Sequence, residues 1–175
     1  MNYEELELLL DYHYWAQHRM FDALALLSAE QWSRPLESSF KSIRDTAAHN
    51  WAGERVWCSR WQGVSPGGLQ SSESFPSAHS LRLASQQLEQ EVRSVVRKIG
   101  PQGIDRRFEY KGFFGAEQSS LFWHMVQHVV NHASYHRGQL TTMLRQVEAH
   151  PPKGLDLITF YREREATENA AAKGA

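Results

Sequence analysis

The sequence predicts an all-α protein, folded as an antiparallel four-helix bundle. Apolar residues recur every three or four positions along four long stretches, which is the period of a helix with one buried face. Stretches rich in Gly, Ser and Pro separate these helices. A chain of 175 residues, 41% of them hydrophobic, is long enough to bury one core without disulfides or metals.

The first two predicted helices differ in how clearly they show a buried face. The first covers about residues 3–27, where His13 and Gln17 join a stripe of leucines. The second covers about residues 42–61 and contains His49. It has two competing apolar faces, so periodicity alone does not place His49 inside.

The middle of the chain alternates irregular and helical stretches. Residues 63–77 predict a long surface loop, which leaves room for a crossover connection. The third helix covers about residues 78–99 and is stopped by Gly100 and Pro101. Alternating aromatic residues in 106–115 predict a short hairpin. Both irregular stretches are candidates for covering a pocket mouth.

The C-terminal part is predicted to contain one long and one short helix. The long one begins near residues 117–120 and ends near Ala149, before two prolines. Residues 155–165 predict a short amphipathic helix that packs across the bundle end. We therefore expect one domain over residues 1–166 and a disordered tail over 167–175.

Composition excludes several classes of protein. A net charge of -1 argues against nucleic-acid binding, which needs clustered Lys and Arg. No stretch approaches the roughly 20 apolar residues of a membrane helix. The single Cys58 cannot form an intrachain disulfide, and the acidic N-terminus lacks a signal-peptide pattern, so we expect a cytoplasmic protein.

The fourth helix carries a row of four histidines, His124, His128, His132 and His136, each four residues from the next. Each step drifts about 40° around the helix. His132 and His136 fall on the apolar arc, His128 on its flank and His124 near its boundary. Two inward imidazoles at this spacing can bind one divalent ion. The alternative is a pair of core histidines satisfied by backbone, water or side chains.

A metal site of the catalytic kind needs a third protein ligand and an open position. His49 is the best candidate, because Ala52 and Gly53 near it allow a close helix approach. His13 and Gln17 are rivals for this place, either as ligands or as supporting groups.

Four other residues near these histidines are candidates for supporting roles. Asp45 either orients the second ring nitrogen of His49 or pairs with a nearby arginine. His128 is expected to support or pack beside the site rather than to bind the ion. Gln139 faces inward and is a candidate for a hydrogen bond to a ligand. Gly138 is expected to allow close helix packing.

Four stretches resemble the DinB/YfiT-like metalloenzyme family. Residues 128–146, HVVNHASYHRGQLTTMLRQ, are similar to the family's fourth-helix signature, N-H-x-x-x-H-R-G-Q. Residues 42–63 resemble its second helix with a single histidine, and residues 151–163 its usual ending. Residues 12–20 resemble its opening helix, with Gln17 where Asn is common.

The resemblance implies that the three metal-ligand histidines are His49, His132 and His136. It also implies a four-helix bundle with a crossover connection, often a homodimer, and a divalent metal such as zinc or nickel. Relatives in this fold group include thiol-dependent S-transferases and a thiol-dependent isomerase.

The leading hypothesis is therefore a metal-dependent enzyme that acts on a small molecule. Activation of water would make it a hydrolase, and activation of a cellular thiol would make it a thiol transferase. The competing hypothesis is a non-catalytic metal-binding protein, or a dimeric helical interaction or stress-response protein. An open coordination position argues against a structural zinc, which normally has four protein ligands.

Overall fold

The computed structural model describes residues 1–173 and is mainly helical, which confirms the predicted fold class. Two antiparallel strands form a small hairpin. The elements in chain order are α1 (Tyr3–Leu24), α2 (Ala29–Ser33), α3 (Ile43–Trp61), α4 (Ala78–Ile99), β1 (Arg107–Lys111), β2 (Glu117–Leu121), α5 (Phe122–Gln146) and α6 (Leu157–Lys173).

Helices α1 and α4 pack antiparallel in the bundle. Arg93, near the end of α4, binds Asp11 in the first half of α1 at 2.9 Å. Arg82, near the start of α4, binds Asp22 near the end of α1 at 2.8 Å. Each ion pair joins the end of one helix to the beginning of the other, so α1 and α4 run in opposite directions.

Helices α3 and α5 form the second antiparallel pair. The hydroxyl of Thr46, near the start of α3, lies 3.2 Å from the sulfur of Met143, near the end of α5. At the other end of the pair, the rings of Trp61 and Phe122 meet edge to face at 5.4 Å. This pairing places the middle of α3 opposite the histidine row of α5.

Helices α3 and α4 run parallel, so the connection between them must cross the length of the bundle. Trp51, in the middle of α3, packs on Phe75, just before α4 begins, at a ring distance of 4.9 Å. Gln62, just after α3 ends, donates a hydrogen bond to Glu91 in the second half of α4 at 2.8 Å. The crossover connection is thus residues 62–77.

The hairpin corrects the predicted start of the fourth helix. Residues 117–121 are not its first turn; they form β2 and pair with β1, so α5 begins at Phe122. The predicted hairpin over 106–115 therefore contains the first strand and the turn. Phe108 is buried under the bundle end, and Gly115 takes a positive φ of 82° in the turn. Pairing with β1 decides the conformation of residues 117–121, and the helical pattern used for the prediction carries no information about that pairing.

Both ends of the predicted helix pattern also differ from the structure. A short helix, α2, follows α1 because Ser28 caps it and Trp32 inserts into the core. At the C-terminus, α6 continues to Lys173, so the tail predicted as disordered from residue 167 is helical up to there. Residues 174–175 of that tail lie outside the described residues. An ion pair between Arg164 and Glu168 at 2.9 Å supports the added turns.

Helix α6 packs along α1 and contacts it through an aromatic group. The ring of Phe160 lies 5.9 Å from that of Tyr12 and 5.6 Å from that of Trp15, in both cases edge to face. Within residues 1–173, the longest apolar stretch of any helix falls short of what a membrane crossing needs.

Candidate metal centre

Three histidines from two helices meet on one side of the bundle. We call His49, His132 and His136 the three-His cluster. One ring nitrogen of each lies within 4.8 Å of the others. The Nε2 atoms of His132 and His136 are 3.0 Å apart. Two nitrogens that each lie about 2.0–2.1 Å from one ion are separated by about this distance.

The close approach of α3 to α5 depends on a glycine. A Cβ atom at Gly53 would lie 3.2 Å from Cε1 of His132, so any larger residue would press on that ring. This confirms the predicted role of Gly53. The same prediction for Gly138 is wrong, because Gly138 is exposed and no atom outside its own helix lies within 4 Å of its Cβ position.

Gln139 holds the ring of His136 in place. Its side-chain oxygen lies 2.7 Å from Nδ1 of His136. Because an amide oxygen only accepts, Nδ1 donates and Nε2 keeps its lone pair, directed towards His132. The amide nitrogen of Gln139 donates to the hydroxyl of Ser39 at 3.4 Å. The sequence-based expectation that Gln139 supports a ligand histidine thus agrees with the geometry.

Phe40 covers the cluster, a role that the sequence analysis missed. Its ring lies 4.4 Å from that of His49, with the planes 33° apart, and 5.7 Å edge-on from that of His136. Phe40 belongs to the irregular residues 34–42 between α2 and α3. No periodic pattern exists there, so nothing in the sequence connects this ring to the histidines.

The surroundings keep the three imidazoles uncharged. Burial lowers the pKa of His132 to about 4, and repulsion from His136, His49 and His128 adds to the effect. Burial also lowers the pKa of His49, again helped by His136. For His136, burial lowers the pKa while the hydrogen bond with Gln139 opposes the shift. The neutral imidazole that results is the form that binds metals.

Asp45 does not orient His49. Its carboxylate accepts a hydrogen bond from the Ser72 hydroxyl at 2.6 Å and from Nε of Arg44 at 3.4 Å. Of the two interpretations of Asp45, the pairing with an arginine is therefore correct. The side chain lies in the first turn of α3 and turns towards the crossover connection rather than along the helix.

His13 and Gln17 make buried polar contacts away from the three-His cluster. Nε2 of His13 lies 3.4 Å from one carboxylate oxygen of Glu54, and the Tyr14 hydroxyl donates to the other at 2.7 Å. Gln17 donates to the hydroxyl of Ser85. We call His13, Tyr14 and Glu54 the His13–Glu54 cluster. Neither His13 nor Gln17 joins the three-His cluster, so both are excluded as its third member.

The remaining candidates lie beside the cluster or apart from it. His128 is exposed on the flank of α5, and its ring lies 5.8 Å from that of His132 and 5.1 Å from that of Trp57. His124 is exposed next to Trp123. Cys58 is buried, and burial raises the pKa of its thiol to about 12, which keeps it protonated.

The chemistry of the three-His cluster suits a divalent ion. Within residues 1–173, no other group of three or more His, Cys, Asp or Glu side chains is arranged to hold one. Three neutral imidazoles are ligands that zinc and nickel accept. Without an ion, the facing Nε2 atoms of His132 and His136 bring two lone pairs together unless one ring donates.

Comparisons with known proteins agree on one family. The sequence model described as DinB family matches residues 1–168. Protein DinB of Bacillus subtilis (strain 168) is 24% identical over 168 residues, which cover 90% of this chain and 95% of that protein. A crystal structure of a DinB-like protein from Bacillus cereus ATCC 10987 is similar with a TM-score of 0.67 and 17% identity, over 83% of this chain and 95% of that one. At this identity the structural match supports the fold alone.

Proposed function

The chain belongs to the DinB family, and from this premise we propose that it is a metal-dependent enzyme with its ion at His49, His132 and His136. A divalent ion on three nitrogen ligands, zinc or nickel, supplies a Lewis acid that lowers the pKa of water or of a low-molecular-weight thiol. Water leads to hydrolysis, and a thiol leads to transfer onto an electrophile. The convergence of the three rings is the observation that carries this proposal.

The residues around the cluster have distinct tasks in this proposal. Gln139 retains the Nδ1 proton of His136, so that Nε2 stays free to bind. Gly53 leaves space for the ring of His132. Phe40 shields His49 from water, which strengthens electrostatic interactions at the site. The lowered pKa of His132 keeps its ring unprotonated at neutral pH.

The number of ligands supports an enzyme over a structural site. Structural zinc normally has four protein ligands, and catalytic zinc has three and an open position. In the described part of the chain, the cluster contains three histidines and no acidic or cysteine side chain. A non-catalytic metal-binding or interaction protein would be favoured instead if a fourth ligand completed the site.

The proposal includes a homodimer in the cytoplasm that binds a small molecule and neither nucleic acid nor membrane. The family resemblance supports the homodimer, and fully exposed aromatic surface such as Phe114 is compatible with it. The lone cysteine, Cys58, supports a reducing compartment. Light scattering at working concentration tests the dimer, and a monomeric mass would contradict it.

Metal analysis combined with activity assays tests the proposed function. The purified protein is expected to contain close to one zinc or nickel ion per chain. It is then assayed with several cellular thiols and a set of electrophiles, and in parallel with ester and amide substrates. Activity that disappears on metal removal and returns on reloading would support the proposal. A chain that binds neither metal after reloading would contradict it.

A further inference from the structure

A buried arginine lies at the C-terminal end of α3, outside the three-His cluster. Arg60 is 6% exposed. Three aromatic rings surround its guanidinium, at 4.6 Å for Trp57, 4.7 Å for Tyr110 and 5.3 Å for Phe113. These cation–π contacts hold the side chain in one orientation between α3 and the hairpin.

This arginine has no acidic partner in residues 1–173. No carboxylate lies within ion-pair distance of it, and its one hydrogen bond runs from Nη2 to the carbonyl of Lys111 at 3.3 Å. Its Nε is buried without an acceptor. Arg93, which is more exposed, binds both Asp11 and Glu89. A buried guanidinium stays charged and is costly to bury unless an anion compensates it.

Arg60 also lines a cavity between the end of α3 and strand β1. The cavity has a volume of about 460 Å³, a size that accommodates a small molecule. Its walls carry positive charge from Arg60, Arg106 and Arg107 against one carboxylate, that of Glu109. Trp61 and Ile99 add apolar surface.

We propose that this cavity binds a small molecule with a carboxylate group, which pairs with the guanidinium of Arg60. The planar fork of an arginine matches the two oxygens of a carboxylate. Arg106 and Arg107 are exposed, so solvent screens their charges, and Arg60 is the buried guanidinium of this wall. One buried guanidinium balances a single negative charge, which suits a monocarboxylate better than a doubly charged phosphate. Arg107 is already engaged, because its Nε donates to the Ser119 hydroxyl at 3.1 Å. This proposal does not depend on the metal-dependent function.

Titration of the protein with butyrate, a monocarboxylate, followed by calorimetry, tests the proposal. The wild type is expected to show saturable binding. Arg60→Gln is expected to weaken it by about tenfold or more, because it removes a charge-assisted hydrogen bond. Arg60→Lys keeps the charge and the contacts with the rings but loses the fork, so an intermediate affinity is expected. If Arg60→Gln fails to fold, as judged by circular dichroism, the Arg60→Lys comparison decides.

Two matched variants separate this site from general charge and from the metal. Arg107→Gln removes a positive charge from the same cavity wall and is expected to change butyrate affinity by less than about twofold. His132→Ala is expected to bind butyrate like the wild type. A loss of binding in this variant would show that butyrate binds at the three-His cluster and would overturn the proposal. It is also overturned if the wild type does not bind butyrate, if Arg60→Gln or Arg60→Lys binds it equally well, or if inorganic phosphate binds more tightly than butyrate.

Discussion

His13 and His132 both lie on inward parts of bundle helices, but the groups that face them differ. His13 is completely buried and has the Glu54 carboxylate 3.4 Å away. His132 is partly buried and faces the imidazoles of His49 and His136. The His13–Glu54 cluster thus contains its own acid, whereas the three-His cluster contains only bases.

This difference separates a structural role from a binding role. The Glu54 carboxylate accepts a hydrogen bond from the Tyr14 hydroxyl and lies near the ring of His13. The two ring nitrogens of His13 make no hydrogen bond within the described residues, but the charge beside them is negative, so this group does not need a cation. Lone pairs from three neutral imidazoles cannot satisfy one another, and a cation is the partner that satisfies all of them. We therefore expect substitutions in the His13–Glu54 cluster to change stability and substitutions in the three-His cluster to change metal binding.

The largest expected effect comes from removing a ligand. His132→Ala should reduce the metal content to background while the bundle remains folded, because the apolar core is otherwise intact. Elemental analysis beside the wild type measures this, with circular dichroism as the check on folding. His128→Ala removes an exposed neighbour on the same helix and is the control. Equal metal in His132→Ala and the wild type would remove the distinction between the two clusters.

Glu54→Ala should lower the stability of the fold and leave metal binding unchanged. It leaves the hydroxyl of Tyr14 without its acceptor and the ring of His13 without its neighbouring carboxylate in the core. We expect the free energy of unfolding to fall by about 2–4 kcal/mol. Urea unfolding measures the change, and metal per folded chain should stay constant. Glu163→Ala, which breaks an exposed pair with Arg19, should cost less than about 1 kcal/mol. A loss of metal in Glu54→Ala would contradict this separation, because it would show that the two clusters act as one site.

Gln139→Ala tests the support of a single ligand. Removing the acceptor for Nδ1 of His136 should weaken metal binding by about 10–100-fold and leave stability nearly unchanged. Gln139→Glu, which still accepts from Nδ1, should keep most of the affinity. Competition with a fluorescent chelator measures both variants. Equal affinities in the alanine variant and the wild type would show that Gln139 does not orient the ring.

The smallest expected effect concerns His18, which lies outside both clusters. Its ring pairs with the Glu89 carboxylate at the surface at 2.7 Å. The hydrogen bond with Glu89 raises the pKa of His18. The stabilisation is therefore complete below the unfolded-state pKa of about 6.5, and it is lost as the pH rises through the raised value.

His18→Gln should lower the free energy of unfolding by about 0.2–1 kcal/mol at acidic pH, and the difference should vanish in alkaline solution. Urea unfolding at several pH values measures it. His79→Gln changes another exposed histidine, one without an ion pair in the described residues, and is the control. A loss of stability in His18→Gln that grows as the pH rises would contradict the stabilising role of the pair between His18 and Glu89.

Some of the site could be predicted from the sequence because it depends on local geometry. His132 and His136 lie four residues apart on one helix, so their common direction follows from the helical period. His49 lies on a helix with two apolar faces, and the family resemblance was needed to select it. Phe40 and the cavity at Arg60 come from irregular or long-range contacts, which no period describes.

The sequence by itself determined the four long helices and the inward pair of histidines, because both follow from side-chain spacing within one element. Tertiary structure alone decided which groups face each other across elements. It paired His13 with Glu54 rather than with the three-His cluster, turned Asp45 towards the crossover connection and made residues 117–121 a strand. The physical reason is that spacing restricts direction within a helix, whereas the partner in space depends on how separate helices pack.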